Sequence, residues 1–141
     1  MQQRINERLK AYWTEKCQGR RMPMESDINA EEIADIWPNC FLVDVANSGF
    51  EYDYLGDSLI EAYGDDLRGK AVCEALLYPH PVSMLKTFQA AVNKAQPMMD
   101  ENEFRNTQGV IVKYRACVLP LASNQAPGVC YLIGAMKWKA F

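Results

Sequence analysis

The segment Asn102 to Val118, NEFRNTQGVIVKYRACV, constrains this chain more than any other, because it encodes a long β-hairpin with a readable register. Thr107, Gln108 and Gly109 form a three-residue loop, with the glycine in the left-handed position that such hairpins require. With Asn106 opposite Val110, Glu103 faces Lys113 and Glu101 faces Arg115, two opposite-charge cross-strand pairs on one side. Phe104, Val112, Tyr114, Ala116 and Val118 fall on the other side. One face is charged, and the other is an apolar floor bearing a phenol.

The chain of 141 residues is read as a single globular unit, with an N-terminal helix and loop at 1–25 and the main domain at 26–141. Hydrophobic residues at 49% and charged residues at 23% are those of a folded globular protein rather than a disordered one. The net charge of −3 argues against nucleic acid, which requires a concentrated basic face. No apolar run approaches the length of a membrane span. The five cysteines show no CxxC spacing and one is left over from any full pairing, and MQQRINERLK is not a secretory signal. These features predict a cytoplasmic, reduced protein. Cys40, Cys117 and Cys130 read as core thiols, with a redox pair of Cys117 and Cys130 on adjacent strands as the alternative.

Ile5, Leu9, Tyr12 and Trp13 recur at helical spacing and Gly19 closes that helix. Its aromatic stripe either covers the chain's own sheet or meets a second copy in a homodimer. A second helix is expected from Asn29 to Ile36, with Asn29 as N-cap, Glu32 completing a capping box, Ile28 and Ile33 as hydrophobic staple, and Pro38 behind the stop. Cys40 to Ala46 and Phe50 to Gly56 read as a strand pair around Asn47-Ser48-Gly49, with Phe50, Tyr52 and Tyr54 sharing a face. Asp57-Ser58 is expected to cap a short helix through Leu59, Ile60 and Tyr63 that Gly64 ends, and further short turns are expected around Val72 to Leu76. A longer helix lies between Pro81 and Pro97, with Val82, Leu85, Phe88 and Val92 as its core face. Three strands then follow, at 97–106, 110–121 and 129–138, with a loop from Ala122 to Gly128. Two strands, then helices, then three strands make an α+β pattern: one five-stranded antiparallel sheet with helices gathered against a face.

Several local patterns now carry a resemblance: Trp13, Gly19-Arg20 with Met22-Pro23, Asp27-Ile28-Asn29, Trp37-Pro38 before FLVDV, Tyr54-Leu55-Gly56, Tyr63 through Lys70, and Tyr114-Arg115 leading to Leu119-Pro120-Leu121. In this order along nearly the whole chain, they resemble the small stand-alone bacterial PAS-like proteins. The resemblance implies the PAS fold and a role in signalling, small-ligand binding or dimerisation. It does not name a cofactor. A photoactive flavin class carries an Asn-Cys-Arg-Phe-Leu-Gln type of motif, which AVCEAL around Cys73 lacks. A haem class presents an axial His on the long helix, whereas His80 stands between Pro79 and Pro81.

No GxSxG, HExxH or phosphate loop is present, and carboxylate pairs such as Asp65-Asp66 and Glu31-Glu32 sit at turns and helix starts where negative charge is structural. The candidate ligand-binding set is Trp37, Tyr54, Tyr63 and Tyr114, whose polar groups are expected to converge inside an apolar cavity. Arg68 at the rim either faces an anion or pairs with Asp65 or Asp66. The alternative for each tyrosine is a core ring with its hydroxyl on backbone or water. The reading is a non-enzymatic sensory or regulatory module that binds a small ligand or a signalling partner and acts in trans. Its alternatives are a ligand-free dimerisation domain and a small α+β enzyme.

Overall fold

The hairpin forms in the register its sequence encodes. In the computed structural model of the protein, which describes residues 4–46, 49–72 and 81–141, Glu101 pairs with Arg115 and Glu103 with Lys113. The Asn106 amide donates to the Val110 carbonyl at 2.8 Å, and Gly109 takes a φ of 80°. Asn106 Oδ1 fixes the turn by accepting from the Gln108 and Val110 amides at 2.9 and 3.0 Å.

The elements run α1 (Ile5–Cys17), β1 (Cys40–Ala46), β2 (Gly49–Leu55), α2 (Asp57–Tyr63), α3 (Pro81–Lys94), β3 (Met98–Arg105), β4 (Ile111–Ser123) and β5 (Ala126–Ala140). The two ribbons join through β1 and β5 into one antiparallel sheet ordered β2-β1-β5-β4-β3. The expected loop from Ala122 to Gly128 is shorter than its composition suggests, because Ser123 already pairs with Ala126. Ala122 is skipped in that ladder; its amide donates instead to the Pro23 carbonyl at 2.9 Å, which docks the RRMPME loop on the strand. The turns expected at Val72 to Leu76 fall mostly outside the described residues.

Each face of the sheet carries its own core. On the inner face, α2 and α3 cover Phe41, Val43, Tyr52, Leu55, Val112, Tyr114, Ala116, Val118, Leu132 and Met136. The buried stripe of α3 is Met84, Phe88 and Ala91, which leaves Leu85 half-buried rather than in the core face. On the outer face, Leu9, Tyr12 and Trp13 of α1 pack on Leu119, Leu121, Ile133 and Ala135. Trp13 Nε1 donates to the Pro120 carbonyl at 2.8 Å. The α1 stripe thus closes on the chain's own sheet, and these buried rings are not available for a homodimer through that stripe.

The second helix does not form as an α-helix. Residues 25–39 wind instead through three short 3₁₀ turns, with i to i+3 bonds such as Glu32 N to Asn29 O at 3.0 Å. Asn29 caps the middle turn as expected, accepting from the Glu31 amide. Glu32 does not close the box, because its carboxylate accepts from the Tyr12 hydroxyl at 2.7 Å and pairs with Lys16 at 3.1 Å. Tyr12 Oη in turn accepts from the Asn29 amide at 2.9 Å. A helix capping signal has here been recruited to tie the loop to α1.

The redox pair is also corrected. Cys117 lies opposite Ala135, and Cys130, half-buried rather than in the core, lies five positions earlier in β5, a separation on the order of 17 Å at strand rise. Burial pushes the Cys117 thiol up to about 11 and raises Cys40 further still. Because the thiolate is the reactive form, Cys40 and Cys117 are expected to resist iodoacetamide at pH 8 while the protein is folded and to react once it is unfolded in urea. Peptide mass spectrometry reads this; alkylation of both at the unfolded rate in native protein would contradict the buried placement.

Candidate ligand-binding site

One residue on β2 decides which aromatic side chains can meet. Leu42 pairs with Tyr54 but Val43 pairs with Tyr52, so Asp53 is an extra residue in the ladder. A bulge of this kind moves the following side chain to the other side of the sheet. Phe50 and Tyr52 therefore face the inner core, whereas Tyr54 joins the outer one. The expected shared face of Phe50, Tyr52 and Tyr54 breaks at its last member.

The candidate set divides accordingly and does not converge on a single pocket. Trp37 and Tyr54 stack on the outer side at 4.3 Å between ring centroids, and the Tyr54 hydroxyl donates to the Trp37 carbonyl at 3.0 Å. Tyr63 and Tyr114 lie in the inner core. Arg68 is exposed and forks onto Asp66 at 2.6 Å, the simpler of the two fates its neighbours allow. Cys73 and His80, on which the flavin and haem comparisons turned, lie outside the described residues.

What the inner face assembles is a layer of phenols among phenyl rings. Tyr63 stacks near Phe104 at 5.2 Å, Phe104 lies 5.8 Å from Tyr114, and Tyr52 lies 6.5 Å from both Tyr63 and Phe88. The three hydroxyls fare differently. Tyr114 donates to Asp100 Oδ2 at 2.5 Å, and Ser83 of α3 donates to Asp100 Oδ1 at 2.8 Å, so one carboxylate clamps β3, β4 and α3. Tyr63 directs its hydroxyl at Met136 Sδ, 3.9 Å away. Tyr52 is fully buried, and its hydroxyl has no hydrogen-bond partner among the described residues. The Tyr52 and Tyr63 phenols influence one another's ionisation, yet no hydrogen bond of proper geometry closes between them.

Tyr52, Asp100 and Ser83 are not in the candidate ligand-binding set read from sequence, which placed Tyr52 only on a shared strand face. Asp100 was within reach of that reading, because it shares strand parity with the inward-facing Phe104. Ser83 is placed by the helix, and Tyr52 stood out only once the bulge removed Tyr54.

Burial raises all three phenol pKa values: Tyr63 to about 12, Tyr52 well above the ordinary value, and Tyr114 strongly, with the Asp100 carboxylate adding to the desolvation. A phenol raised in the folded state contributes stability in full below its unfolded value of about 10, and that contribution is lost as pH rises through the folded value. Folded protein is therefore expected to hold these phenols neutral at pH 10.5 and to lose stability steeply between about pH 10 and 12. Phenolate absorbance followed beside far-UV circular dichroism checks this. Full phenolate formation by pH 10.5 with the fold intact would contradict it.

The family model described as PAS domain matches residues 1–137, a span that includes α1. No curated protein matches the chain. Among solved structures, a light-oxygen-voltage domain studied with a flavin analogue is similar with a TM-score of 0.61 at 11% identity, over 77% of this chain and 82% of that one. The light state of the blue-light photoreceptor Aureochrome1 LOV gives 0.57 at 13% identity, over 78% of this chain and 88% of that one. The PAS domain of the fruit-fly ELK potassium channel gives 0.56 at 15% identity, over 78% and 96%. At such identities the likeness is one of fold.

Proposed function

Since this chain belongs to the PAS domain family, we propose that it is a non-enzymatic sensory or regulatory module whose inner aromatic layer receives a small ligand. The reading rests on Tyr52. The Tyr52 hydroxyl is fully buried with no partner among the described residues; such a group is costly and marks a place where a further polar atom belongs. The surroundings suit a ligand that is mostly apolar: Phe41, Phe88, Tyr63 and Met136 offer rings and a polarisable sulfur, and Tyr52 Oη offers one directional contact.

Seating a molecule there requires α2 and α3 to loosen from the sheet, and a ligand that favours the loosened arrangement shifts the population toward it. Two fixed points make this a change of packing rather than unfolding. Asn106 Nδ2 and Thr107 Oγ1 of the hairpin turn donate to the Ala62 and Tyr63 carbonyls at the end of α2, at 3.1 and 3.2 Å. Asp100 holds α3 through Ser83. A signalling partner would read the altered helix layer. AVCEAL lacks the Asn-Cys-Arg-Phe-Leu-Gln type of motif of the photoactive flavin class.

Native mass spectrometry of protein gently purified from a cell extract tests the proposal. A retained small molecule on the wild type, reduced in Tyr52→Phe at unchanged circular dichroism, is the expected result. Identical bare masses for both proteins, with no stabilisation by extract metabolites, would overturn it.

A further inference from the structure

The phenol layer is short of hydrogen-bond acceptors, and that shortage identifies the atom a ligand has to bring. Tyr52 and Tyr63 each carry one hydroxyl proton. The Tyr52 hydroxyl is fully buried with no partner among the described residues, and the Tyr63 hydroxyl meets the Met136 thioether sulfur at 3.9 Å, a weak acceptor. The two rings lie 6.5 Å apart and each phenol acts on the other's ionisation, so both hydroxyls share one region between β2, α2 and β5. The oxygens of Asp100 are already engaged, Oδ2 by the Tyr114 hydroxyl and Oδ1 by Ser83. A bond between the two phenols would use one proton and leave the other on sulfur.

The walls set the ligand's charge and shape. No lysine, arginine or histidine is buried among the described residues, so an anion in this layer meets no countercharge and lies near the Asp100 carboxylate. A cation or a neutral N–H group brings more protons to a place where two already lack a good acceptor. A neutral oxygen with two lone pairs takes both. Around the Tyr52 ring, Phe41 and Phe88 stand at 6.0 and 6.5 Å between centroids, and such faces suit a flat ring. Resting on the reading of the inner layer as a ligand site, we propose that its ligand is a neutral, flat-ringed carbonyl compound, in chemical class an aryl ketone, whose oxygen accepts from both Tyr52 Oη and Tyr63 Oη. Tyr63 then exchanges its sulfur contact for an oxygen acceptor, and Met136 becomes part of the apolar wall.

The test uses the full chain and three bicyclic probes of nearly equal size: the aryl ketone indanone, which has the acceptor, indane, which has neither acceptor nor donor, and indole, which has only a donor N–H. Isothermal titration is expected to show saturable binding of indanone, about tenfold tighter than that of either of the others. Tyr52→Phe and Tyr63→Phe should each remove most of that preference and leave indane affinity unchanged, with circular dichroism checking the fold. The carbonyl stretching band of bound indanone, lowered in frequency by the two donors, should rise in each variant. Because Tyr52→Phe removes a hydroxyl that has no partner, its thermal midpoint without any probe should not fall. Equal binding of indanone and indane, with NMR shifts at Tyr52 and Tyr63, would overturn the proposal and leave the reading of the layer as a ligand site intact. A preference for indole, an unshifted carbonyl band, or a clearly lowered midpoint in Tyr52→Phe would overturn it as well. So would no binding of any probe, and whether the layer holds a ligand of another class then falls to the native mass spectra.

Discussion

Trp13→Ala is expected to destabilise the protein by about 3–5 kcal/mol, the range of buried tryptophan truncations. Trp13 is 6% exposed at the centre of the outer core, among residues of α1, β4 and β5, and its loss also strips the Pro120 carbonyl of its indole donor. The chain would then have to shield Leu119, Leu121 and Ile133 with a hole where the indole stood. Urea denaturation measures the change, and Trp13→Phe, which keeps most of the apolar area but not the hydrogen bond, should lose less, about 1–2 kcal/mol. A Trp13→Ala loss below about 1 kcal/mol would show that α1 is an appendage rather than the second half of the core.

Gly56→Ala is expected to cost about 3 kcal/mol, for a reason that is purely steric. With φ −64° and ψ 153°, Gly56 has a backbone conformation open to any residue, so conformational freedom does not explain it. An added Cβ would lie 2.1 Å from the Pro38 oxygen, 2.4 Å from the Pro38 carbonyl carbon and 2.8 Å from the Trp37 oxygen. All three are backbone atoms that cannot rotate away. The Gly56 amide donates to the Cys40 carbonyl at 2.9 Å, so the clash falls where the Trp37-Pro38 turn, β1 and the start of α2 converge. Thermal unfolding should show a drop of about 10 °C. An unchanged midpoint would mean that the two backbones do not approach so closely.

How far the sequence reaches can be seen at particular residues. Gly109 and the two opposite-charge pairs act within a few residues of each other, so the register of β3 and β4 was readable. The stop of α2 at Gly64 was also local, but the expected cap at Asp57-Ser58 does not form: Gly56 is the N-cap with no side-chain bond, and the Ser58 hydroxyl accepts instead from Asn39 and Trp138. The extra residue at Asp53 was not readable, because it is defined only against β1, and the strict alternation of FEYDYLG gives no hint of it. That single residue carries Tyr54 out of the candidate site and leaves Tyr52 as the buried phenol of β2. Glu32 shows the same limit: its spacing from Asn29 was a sound local signal, but Tyr12 and Lys16, far earlier in the chain, compete for its carboxylate. The destination of the α1 stripe depended on which sheet face lacked a cover, a question that no helical periodicity answers.

The central claim is that the layer between the sheet and the helices α2 and α3 holds a ligand whose polar atom meets Tyr52. A crystal structure of protein isolated from cells that naturally produce it, without refolding, tests this most directly. The account predicts density beneath α2 and α3 with an atom at hydrogen-bond distance from Tyr52 Oη. A layer filled only by the protein's own side chains, with that hydroxyl bonded to protein or to water, would contradict it.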